Sequence, residues 1–232
     1  MRETVTLMLL LCLCSSLFAD EHAVSVAIKT TLTTNTRFLY NIDKPDTYVS
    51  NKYISLNVGF GGDVRWNVLW HSFYLGASVE VVRSVEQFKL RDLNNLGLRI
   101  PAEEGFAMTA VEVSGIYIAP MSSERFSFYL GGGIGKYFGE RIYSINDVKA
   151  PTLNSPTYAG IHVLTGLEWK FFSFAALRGE IKFRDPQFAA VNKFEKSSTV
   201  VDGYVIVLDQ SETTTHVNLY GINYSLGLVV VF

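Results

Sequence analysis

The sequence predicts an all-β fold, an antiparallel up-and-down barrel of eight strands that crosses a membrane. Among its 232 residues are 16 Phe, 12 Tyr and 18 Gly, and stretches of the chain alternate between apolar and small or polar side chains. A period of two is typical of strands whose two faces meet different surroundings. The alternating stretches number eight, an even number, and their connections are alternately short and long. This asymmetry is typical of transmembrane barrels.

The clearest strand is the last one, residues 220–232. Its one face is entirely apolar or aromatic, whereas the other begins with glycine, asparagine and serine. In a membrane barrel the apolar face points to lipid, and in a soluble sandwich it points inward. Aromatic residues near both ends of the apolar face and glycines on the other face favour the membrane barrel. An amphipathic strand of a soluble sandwich is the alternative.

The first four strands are predicted from the same alternation. Residues 23–33 place valine, isoleucine and leucine opposite alanine, lysine and threonine, and residues 54–66 oppose large apolar side chains to glycine, aspartate and arginine. Residues 73–81 carry phenylalanine, leucine and valine against tyrosine, serine and glutamate, and residues 109–117 carry valines against glutamate and serine. A longer polar stretch separates the third strand from the fourth.

The last four strands continue the pattern. Residues 126–138 oppose phenylalanines, leucine and isoleucine to glycines and tyrosines, and residues 160–169 oppose isoleucine, valine and tryptophan to histidine and glutamate. Residues 175–184 carry a charged stripe opposite leucine, isoleucine and phenylalanine, and residues 220–232 close the series. Short connections follow strands two, four and six, and long ones follow strands one, three, five and seven.

The N-terminus predicts a cleaved signal peptide over residues 1–19, which leaves a barrel domain over residues 20–232. Arg2 precedes a short apolar run, and small residues lead up to Ala19. The run is too short for a transmembrane helix, which needs about 20 residues. Cys12 and Cys14, the two cysteines of the chain, both lie in this segment. A lipoprotein anchor is the competing interpretation, but Leu11 and Leu13 disfavour it.

Four stretches give the chain a resemblance to a known family. They are FYLGGGIGKY at 128–137, TGLEW at 165–169, RGEIKFR at 178–184 and GLVVVF at 227–232. In order and spacing, the chain is similar to the small eight-stranded outer-membrane barrels of the OmpA transmembrane-domain, OmpX and OmpW type. The resemblance implies an integral protein of the outer membrane of a diderm bacterium. It also implies that the barrel-assembly machinery reads Phe232 as an assembly signal. Because the sequence stops at that residue, we do not expect the peptidoglycan-binding function of OmpA to carry over.

The parity of each strand, meaning which of its two alternating faces a residue belongs to, predicts which side chains fill the lumen. The bore of an eight-stranded barrel is just wide enough for side chains to fill, and buried charges must be paired or hydrated. We therefore expect a plugged lumen held by ion pairs, with a narrow polar conduit as the alternative. The predicted luminal charges are Lys29, Asp63, Arg65, Glu80, Glu112, Glu168, Arg178, Glu180 and Lys182.

Aromatic side chains on the apolar faces predict the boundaries of the membrane. The predicted interfacial residues are Trp66, Tyr117, Trp169, Tyr220 and Tyr224. Lys136 breaks the pattern, because parity places it on the lipid face near the external end, where a long side chain can snorkel. A β-bulge in the glycine run is the other explanation.

The sequence carries no strong catalytic or cofactor motif. Residues 131–136, GGGIGK, lack the spacing of a phosphate-binding loop and lie within a predicted strand. The four histidines are far apart in the sequence, so we expect no metal site and no cofactor. His162, the one histidine on a luminal face, leaves open a barrel enzyme that modifies lipid A, although we expect no enzyme. The formal net charge of −2 gives no reason to expect nucleic acid as a partner.

Specific function is expected in the external loops. The main prediction is a structural or surface-interaction protein whose partners are outer-membrane lipid and host or neighbouring surface proteins. A narrow channel or transporter for small hydrophobic molecules, as in OmpW-like proteins, is the alternative. The longest loop, 185–213, either continues as a strand pair above the membrane, or shelters a small apolar ligand, or forms a fifth hairpin that makes ten strands.

Overall fold

The computed structural model describes most of the chain. The described residues are 24–34, 36–40, 51–54, 57–69, 72–91, 98–154 and 156–232. The predicted signal peptide, 1–19, lies outside them.

The described residues form fifteen β-strands, which share the antiparallel pairing of a meander. In chain order they are β1 (Val24–Thr33), β2 (Thr36–Tyr40), β3 (Asn51–Ile54), β4 (Asn57–Leu69), β5 (Phe73–Arg91), β6 (Arg99–Ile118), β7 (Phe126–Ile145), β8 (Val148–Lys149), β9 (Thr157–Phe172), β10 (Ala175–Arg184), β11 (Gln187–Asn192), β12 (Ser198–Val201), β13 (Tyr204–Val207), β14 (Thr213–Asn218) and β15 (Gly221–Val231). Among these described residues, no helix is long and apolar enough to span a membrane.

Eight of these strands close into a barrel. Around the wall the order is β6, β5, β4, β1, β15, β10, β9 and β7, and β7 pairs again with β6. The closing pair is in register over a long stretch, from Ala102 opposite Ile145 to Ile118 opposite Tyr129. Every barrel strand therefore has a partner on both sides over the membrane-crossing height, as lipid requires. The predicted fold class is confirmed.

The outward and inward faces of the barrel strands are those that the alternation in the sequence predicted. On the outer surface Ile28 is 78% exposed and Ile161 is 76% exposed, whereas Ala27 beside Ile28 and Leu164 in the strand of Ile161 are buried. A surface this apolar is incompatible with water over the whole height of a barrel. The outward face therefore meets hydrocarbon.

The connections have the predicted asymmetry. β6 ends at Ile118 and β7 begins at Phe126, and only Ser173 and Phe174 separate β9 from β10. At the other end, the strands run far beyond the apolar belt. We take the end with the short turns as the periplasmic end and the opposite end as external.

The prediction that a long polar connection separates the third strand from the fourth was wrong. Residues 82–91 and 99–108 extend β5 and β6 as one long hairpin, with Val82 opposite Met108 and Leu90 opposite Ile100. The parity rule misses this part because the wall leaves the membrane there. Above the lipid the outer face meets water and the inner face is apolar. The polar stripe therefore points outward there, whereas within the membrane it points inward.

The external wall is completed by a second sheet. Its order, β11, β14, β2 and β3, repeats the order of the barrel strands β10, β15, β1 and β4 beneath it. The loop after β8 continues the wall beside β11, where Leu153 N donates to Val191 O at 2.7 Å. The stretch 185–213 thus forms β11 and the external hairpin β12–β13. The ten-strand alternative is wrong, and the strand pair above the membrane is what the structure contains.

Candidate functional site

The lumen is the candidate site, because parity directs the charged side chains there. All nine predicted luminal residues point into the bore. Eight are buried, and Glu168, near the periplasmic end, is partly buried. Arg184, on the same stripe of β10 as Arg178, joins them. With Arg184 the luminal set has five acidic and five basic side chains.

Arg178 organises the part of the network nearest the periplasm. Its Nη1 donates to Asp63 Oδ1 at 2.5 Å, and its Nε donates to Glu168 Oε2 at 2.9 Å. Its Nη2 donates to the Ser25 hydroxyl at 3.2 Å. Asp63 also faces Lys29, with 3.5 Å between Lys29 Nζ and Asp63 Oδ2. The guanidinium thus joins β10 to three other strands of the wall.

Arg65 forms the next layer. Its Nη2 donates to Glu180 Oε2 at 2.5 Å, and its Nε lies 3.2 Å from Asp63 Oδ1. The guanidinium carbon lies 4.7 Å from the centre of the Tyr129 ring, and the Tyr129 hydroxyl donates to the same Glu180 oxygen at 3.2 Å. Arginine suits this position because its planar fork binds carboxylates and stacks on aromatic rings at once.

Glu112 anchors the upper layer. It accepts from Lys182 Nζ at 2.5 Å, from Arg184 Nη1 at 3.1 Å and from the Tyr137 hydroxyl at 3.1 Å. Arg184 also donates from Nη2 to Glu80 Oε1. Each charge in this layer therefore has an opposite partner, which is what makes burial of ionised groups tolerable.

Glycines make room for the two luminal tyrosines. Gly166 lies directly opposite Tyr129 in the β7–β9 pairing. A Cβ at Gly166 would collide with the Tyr129 ring, and one at Gly135 would lie 2.9 Å from Cζ of Tyr137. These two luminal glycines thus have a specific role, which is to leave space for an aromatic ring from a neighbouring position.

A cavity of about 240 Å³ opens below the network at the periplasmic mouth. Arg65 and Arg178 form part of its lining, together with Tyr74, Ser127 and Glu168. Water from the periplasm can therefore reach the lowest ion pairs. The bore above that level is filled by the side chains just described.

An apolar cluster closes the external part of the bore. Its members are inward-facing side chains of six strands, together with Leu219, and they lie against the upper charged layer and above it. They are Phe38, Val82, Phe106, Met108, Ala110, Tyr137, Phe188, Ala190, Val217 and Leu219. The bore thus has two seals in series, one of ion pairs and one of hydrocarbon.

A further buried ion pair lies outside this network, in the external part of the barrel. Arg141 donates to Glu104 Oε1 from Nε at 3.1 Å and from Nη2 at 2.6 Å. The guanidinium carbon lies 4.4 Å from the centre of the Tyr143 ring. Burial raises the pKa of the Tyr143 hydroxyl. This pair fixes β6 to β7 near their external ends.

His162 shares a hydrogen bond with Ser114, with 2.8 Å between Nε2 and Oγ. A serine hydrolase needs an acid on the other ring nitrogen. Nδ1 of His162 is buried and has no hydrogen-bond partner among the described residues. No group of three His, Cys, Asp or Glu side chains within the described ranges is arranged to hold a metal ion.

The predicted interfacial aromatics lie at the two ends of the outer belt. Trp66, Tyr117 and Trp169 are at the periplasmic end, and Tyr220 and Tyr224 are toward the external end, all partly exposed on the outer surface. Further aromatics complete the lower girdle. Phe126, Phe171, Phe172 and Phe174 continue from Trp169 with ring centroids 5.2–6.3 Å apart.

Lys136 and Phe232 both have exposed side chains. The pairing of β7 with β6 and with β9 runs through Lys136 without a register shift, so the β-bulge alternative is wrong. Lys136 is on the outer face, as parity predicted. Phe232 follows the end of β15, where its backbone N donates to Val24 O at 2.9 Å.

Sequence reasoning missed Arg184 and the luminal tyrosines. Arg184 was on the charged stripe of its strand, so the parity that selected Arg178 could have selected it too. Tyr129 and Tyr137 also lay on a luminal stripe, but an aromatic side chain there gives no sign that its hydroxyl binds a carboxylate. The Glu104–Arg141 pair lies where strands had not been predicted.

The sequence matches no protein-family model and no curated protein. Among solved structures, it is similar to the outer membrane protein OprG from Pseudomonas aeruginosa, with a TM-score of 0.59 at 10% identity over 92% of this chain and 97% of that one. Neisserial surface protein A gives a TM-score of 0.47 at 11% identity over 90% and 97%. Ail, the attachment invasion locus protein of Yersinia pestis, gives 0.45 at 12% identity over 92% and 100%.

These identities are too low to carry a function from one protein to another, and the likeness to OprG is one of fold. The closed eight-stranded antiparallel wall agrees with that fold, and the belt of exposed apolar side chains surrounds it. The chain therefore has the fold of the small eight-stranded outer-membrane barrels, and its lipid-facing belt makes it an integral protein of the outer membrane.

Proposed function

We propose that the protein is a non-conducting surface protein of the outer membrane. It acts through its external extension, which is the part of the barrel above the apolar belt and includes the sheet β11–β14–β2–β3 and the hairpin β12–β13. The observation that carries this proposal is the double seal of the bore. Five acidic and five basic side chains fill the transmembrane part in matched pairs, and an apolar cluster covers them on the external side. Opening such a bore would leave charges unpaired at a cost of several kcal/mol for each buried ion.

The external hairpin β12–β13 is the surface best suited to a partner. Its outward face carries Val200, Val205 and Val207, which are 60%, 66% and 81% exposed. Asp202 and Gly203, both with positive φ, form the tight turn between the two strands. An ordered hairpin that presents exposed valines to water is typical of a protein contact surface. The partners expected of it are host proteins or neighbouring surface proteins.

Planar-bilayer recording tests the sealed bore. Purified wild-type protein should give no steady single-channel openings. The positive control is a variant that removes large side chains from both seals, with Phe106→Ser, Phe188→Ser, Lys182→Ser and Glu112→Ser combined. This variant should conduct, which would show that the recording detects protein inserted under the same conditions. Steady openings of the wild-type protein would contradict the proposal.

A narrow channel for small hydrophobic molecules is the second candidate. It is favoured by the apolar lining of the external part of the bore, where Phe38, Phe106 and Met108 face inward. In that case the wild-type protein, but not a charge-matched control barrel, should accelerate the entry of a small aromatic solute into vesicles. Equal rates with and without the protein would dispose of this candidate.

We infer no enzymatic role for the protein. The Ser114–His162 contact lacks an acid on Nδ1 among the described residues, and His162 is buried in the lumen. His162→Gln should leave lipid A composition unchanged in cells that express the protein. A change in lipid A that depends on His162 would contradict this inference.

We also propose that Phe232 is the assembly signal. Its side chain is 56% exposed on the outer surface, so its replacement removes little packing. Phe232→Ser should lower the amount of folded barrel in the outer membrane of cells. It should leave refolding of the purified protein in detergent unchanged, and an equal loss in both assays would indicate a structural role instead.

A further inference from the structure

Lys136 is a charged side chain on the outer surface of the barrel, and its neighbours there are apolar. Its outward neighbours along β7 are Ile134 and Phe138, and its partners on the adjacent strands are Val111 and Ala159. A lysine on the lipid face of a barrel costs about 2–4 kcal/mol at the bilayer midplane and much less at the interface. Its height in the belt therefore decides what it can contact.

The height of Lys136 follows from the strand geometry. It lies ten residues along β7 from Phe126, which belongs to the periplasmic girdle. With a rise of about 3.3 Å per residue and a tilt of about 40°, this is roughly 25 Å along the barrel axis. The apolar band of an outer-membrane barrel is about 25 Å tall. Lys136 thus lies at the external boundary of the hydrocarbon, at the level of lipid headgroups.

The side chain of Lys136 is directed along the strand toward the external side. Its Nζ lies 5.4 Å from the centre of the Phe138 ring. It forms no ion pair with a carboxylate of the described residues. Thr109 and Thr157 pair with Phe138 from the two neighbouring strands, and both lie on the outer face. An ammonium group and two threonines on the adjacent strands thus lie around one aromatic ring on the outer surface.

From this arrangement, we propose that Lys136 forms a binding site for an anionic lipid, with the lipid phosphate at Nζ and an acyl chain along Ile134 and Ile161. The phosphate supplies the opposite charge that the described residues do not supply. The exposed isoleucines below the lysine supply the apolar surface that a free phosphate would not use. The occupant is therefore a membrane lipid rather than a soluble anion.

Native mass spectrometry of the purified full-length barrel in detergent tests this site. The probes are phosphatidylglycerol, diacylglycerol without a phosphate, and inorganic phosphate. Wild-type protein should retain phosphatidylglycerol and not diacylglycerol. Lys136→Gln should weaken retention of phosphatidylglycerol roughly fivefold, since one lysine near a lipid surface contributes about that factor.

Matched variants separate the site from general charge effects. Lys136→Arg should retain phosphatidylglycerol like the wild-type protein, and so should Lys193→Gln, which removes an exposed lysine outside the belt. Thr109→Val combined with Thr157→Val should weaken binding less than Lys136→Gln does. Equal retention by Lys136→Gln and wild type, or retention of diacylglycerol as strong as that of phosphatidylglycerol, would overturn the proposal. Displacement of the lipid by inorganic phosphate would do so as well, because the occupant would then be the free anion.

Discussion

At the residue scale, the structure depends on how ten ionised side chains share a narrow bore. Each luminal acid has at least one basic partner within 4.0 Å. Buried ion pairs add little net stability compared with apolar residues of the same size, but breaking one leaves an uncompensated buried charge. The network therefore fixes the positions of the luminal side chains more than it adds stability, because each buried charge is tolerated only while its partner remains in place.

The pair Arg184–Glu80 makes this testable. No other described cation forms an ion pair with Glu80, whereas Glu112 keeps Lys182 when Arg184 is removed. Arg184→Met should therefore lower the free energy of unfolding by about 3–5 kcal/mol. Adding Glu80→Met should restore much of the loss, because both charges are then gone. Urea unfolding in lipid vesicles measures both values.

The control for this cycle is Lys149→Met on the exposed external surface, which should stay within about 0.5 kcal/mol of the wild-type protein. A single variant Arg184→Met as stable as the control would show that Glu80 does not depend on Arg184. The cycle would then have no coupling energy to explain.

Which residues line the bore could be predicted from the sequence, but which pairs they form could not. Parity alone selected nine side chains, because a strand in lipid has one greasy stripe and one polar stripe. The partners Arg65 and Glu180 are 115 residues apart. Their contact depends on the register of four strands and on the tilt of the wall, and neither is visible in one strand.

At the element scale, each long strand changes its surroundings along its length. In β6, Val111 and Val113 face lipid, while Phe106 and Met108 face the bore a few residues further toward the external side. The inward stripe is polar inside the membrane and apolar above it. Prediction from a single rule therefore succeeded over the belt and failed for 82–91 and 99–108, where the rule reverses.

The external hairpin is held to the wall by a polar contact. Thr199 Oγ1 donates to Asp147 Oδ1 at 2.5 Å, and Asn146 Nδ2 donates to Thr199 Oγ1 at 2.9 Å. The hydrogen bond from the Thr199 hydroxyl lowers the pKa of the exposed Asp147 carboxyl below its ordinary value of 3.8. Lys196 lies 3.7 Å from the other carboxylate oxygen.

This contact predicts a pH dependence of the hairpin. A lowered pKa in the folded state means that the contact is fully present above pH 3.8 and is lost as the pH falls through the lower, folded value. The amide NMR signal of Thr199 should therefore titrate with a midpoint below 3.8. Asp147→Asn should abolish this titration. A midpoint at or above 3.8 would mean that the Thr199 hydroxyl does not stabilise the carboxylate.

At the scale of the whole molecule, the closed wall and the uneven connections fix the orientation. Both features were predictable from the sequence. The even number of alternating stretches predicts the closed wall, and the alternation of short and long connections predicts its orientation. The external sheet was not predictable in detail, since above the membrane neither face is constrained by lipid.

The orientation predicts which peptide bonds are accessible in intact cells. Added trypsin should cleave after Lys193 or Lys196 in the external extension, both of which are exposed. It should not cleave after Arg125, in the short turn between β6 and β7, until the outer membrane is permeabilised. Cleavage after Arg125 in intact cells, with the external lysines protected, would mean that the barrel is inverted.

The central claim is that the apolar stripe of each barrel strand faces hydrocarbon while its neighbouring stripe faces a sealed interior. Nuclear Overhauser contacts between lipid acyl chains and methyl groups of the folded protein measure this without changing any residue. The account predicts contacts at Ile28, Ile161 and Leu228, and none at Ile116, Leu164 or Val229, which are buried in the bore. Leu228 and Val229 are adjacent in β15, so they form the sharpest pair. Acyl-chain contacts at Val229 with none at Leu228 would contradict the assignment of the two faces.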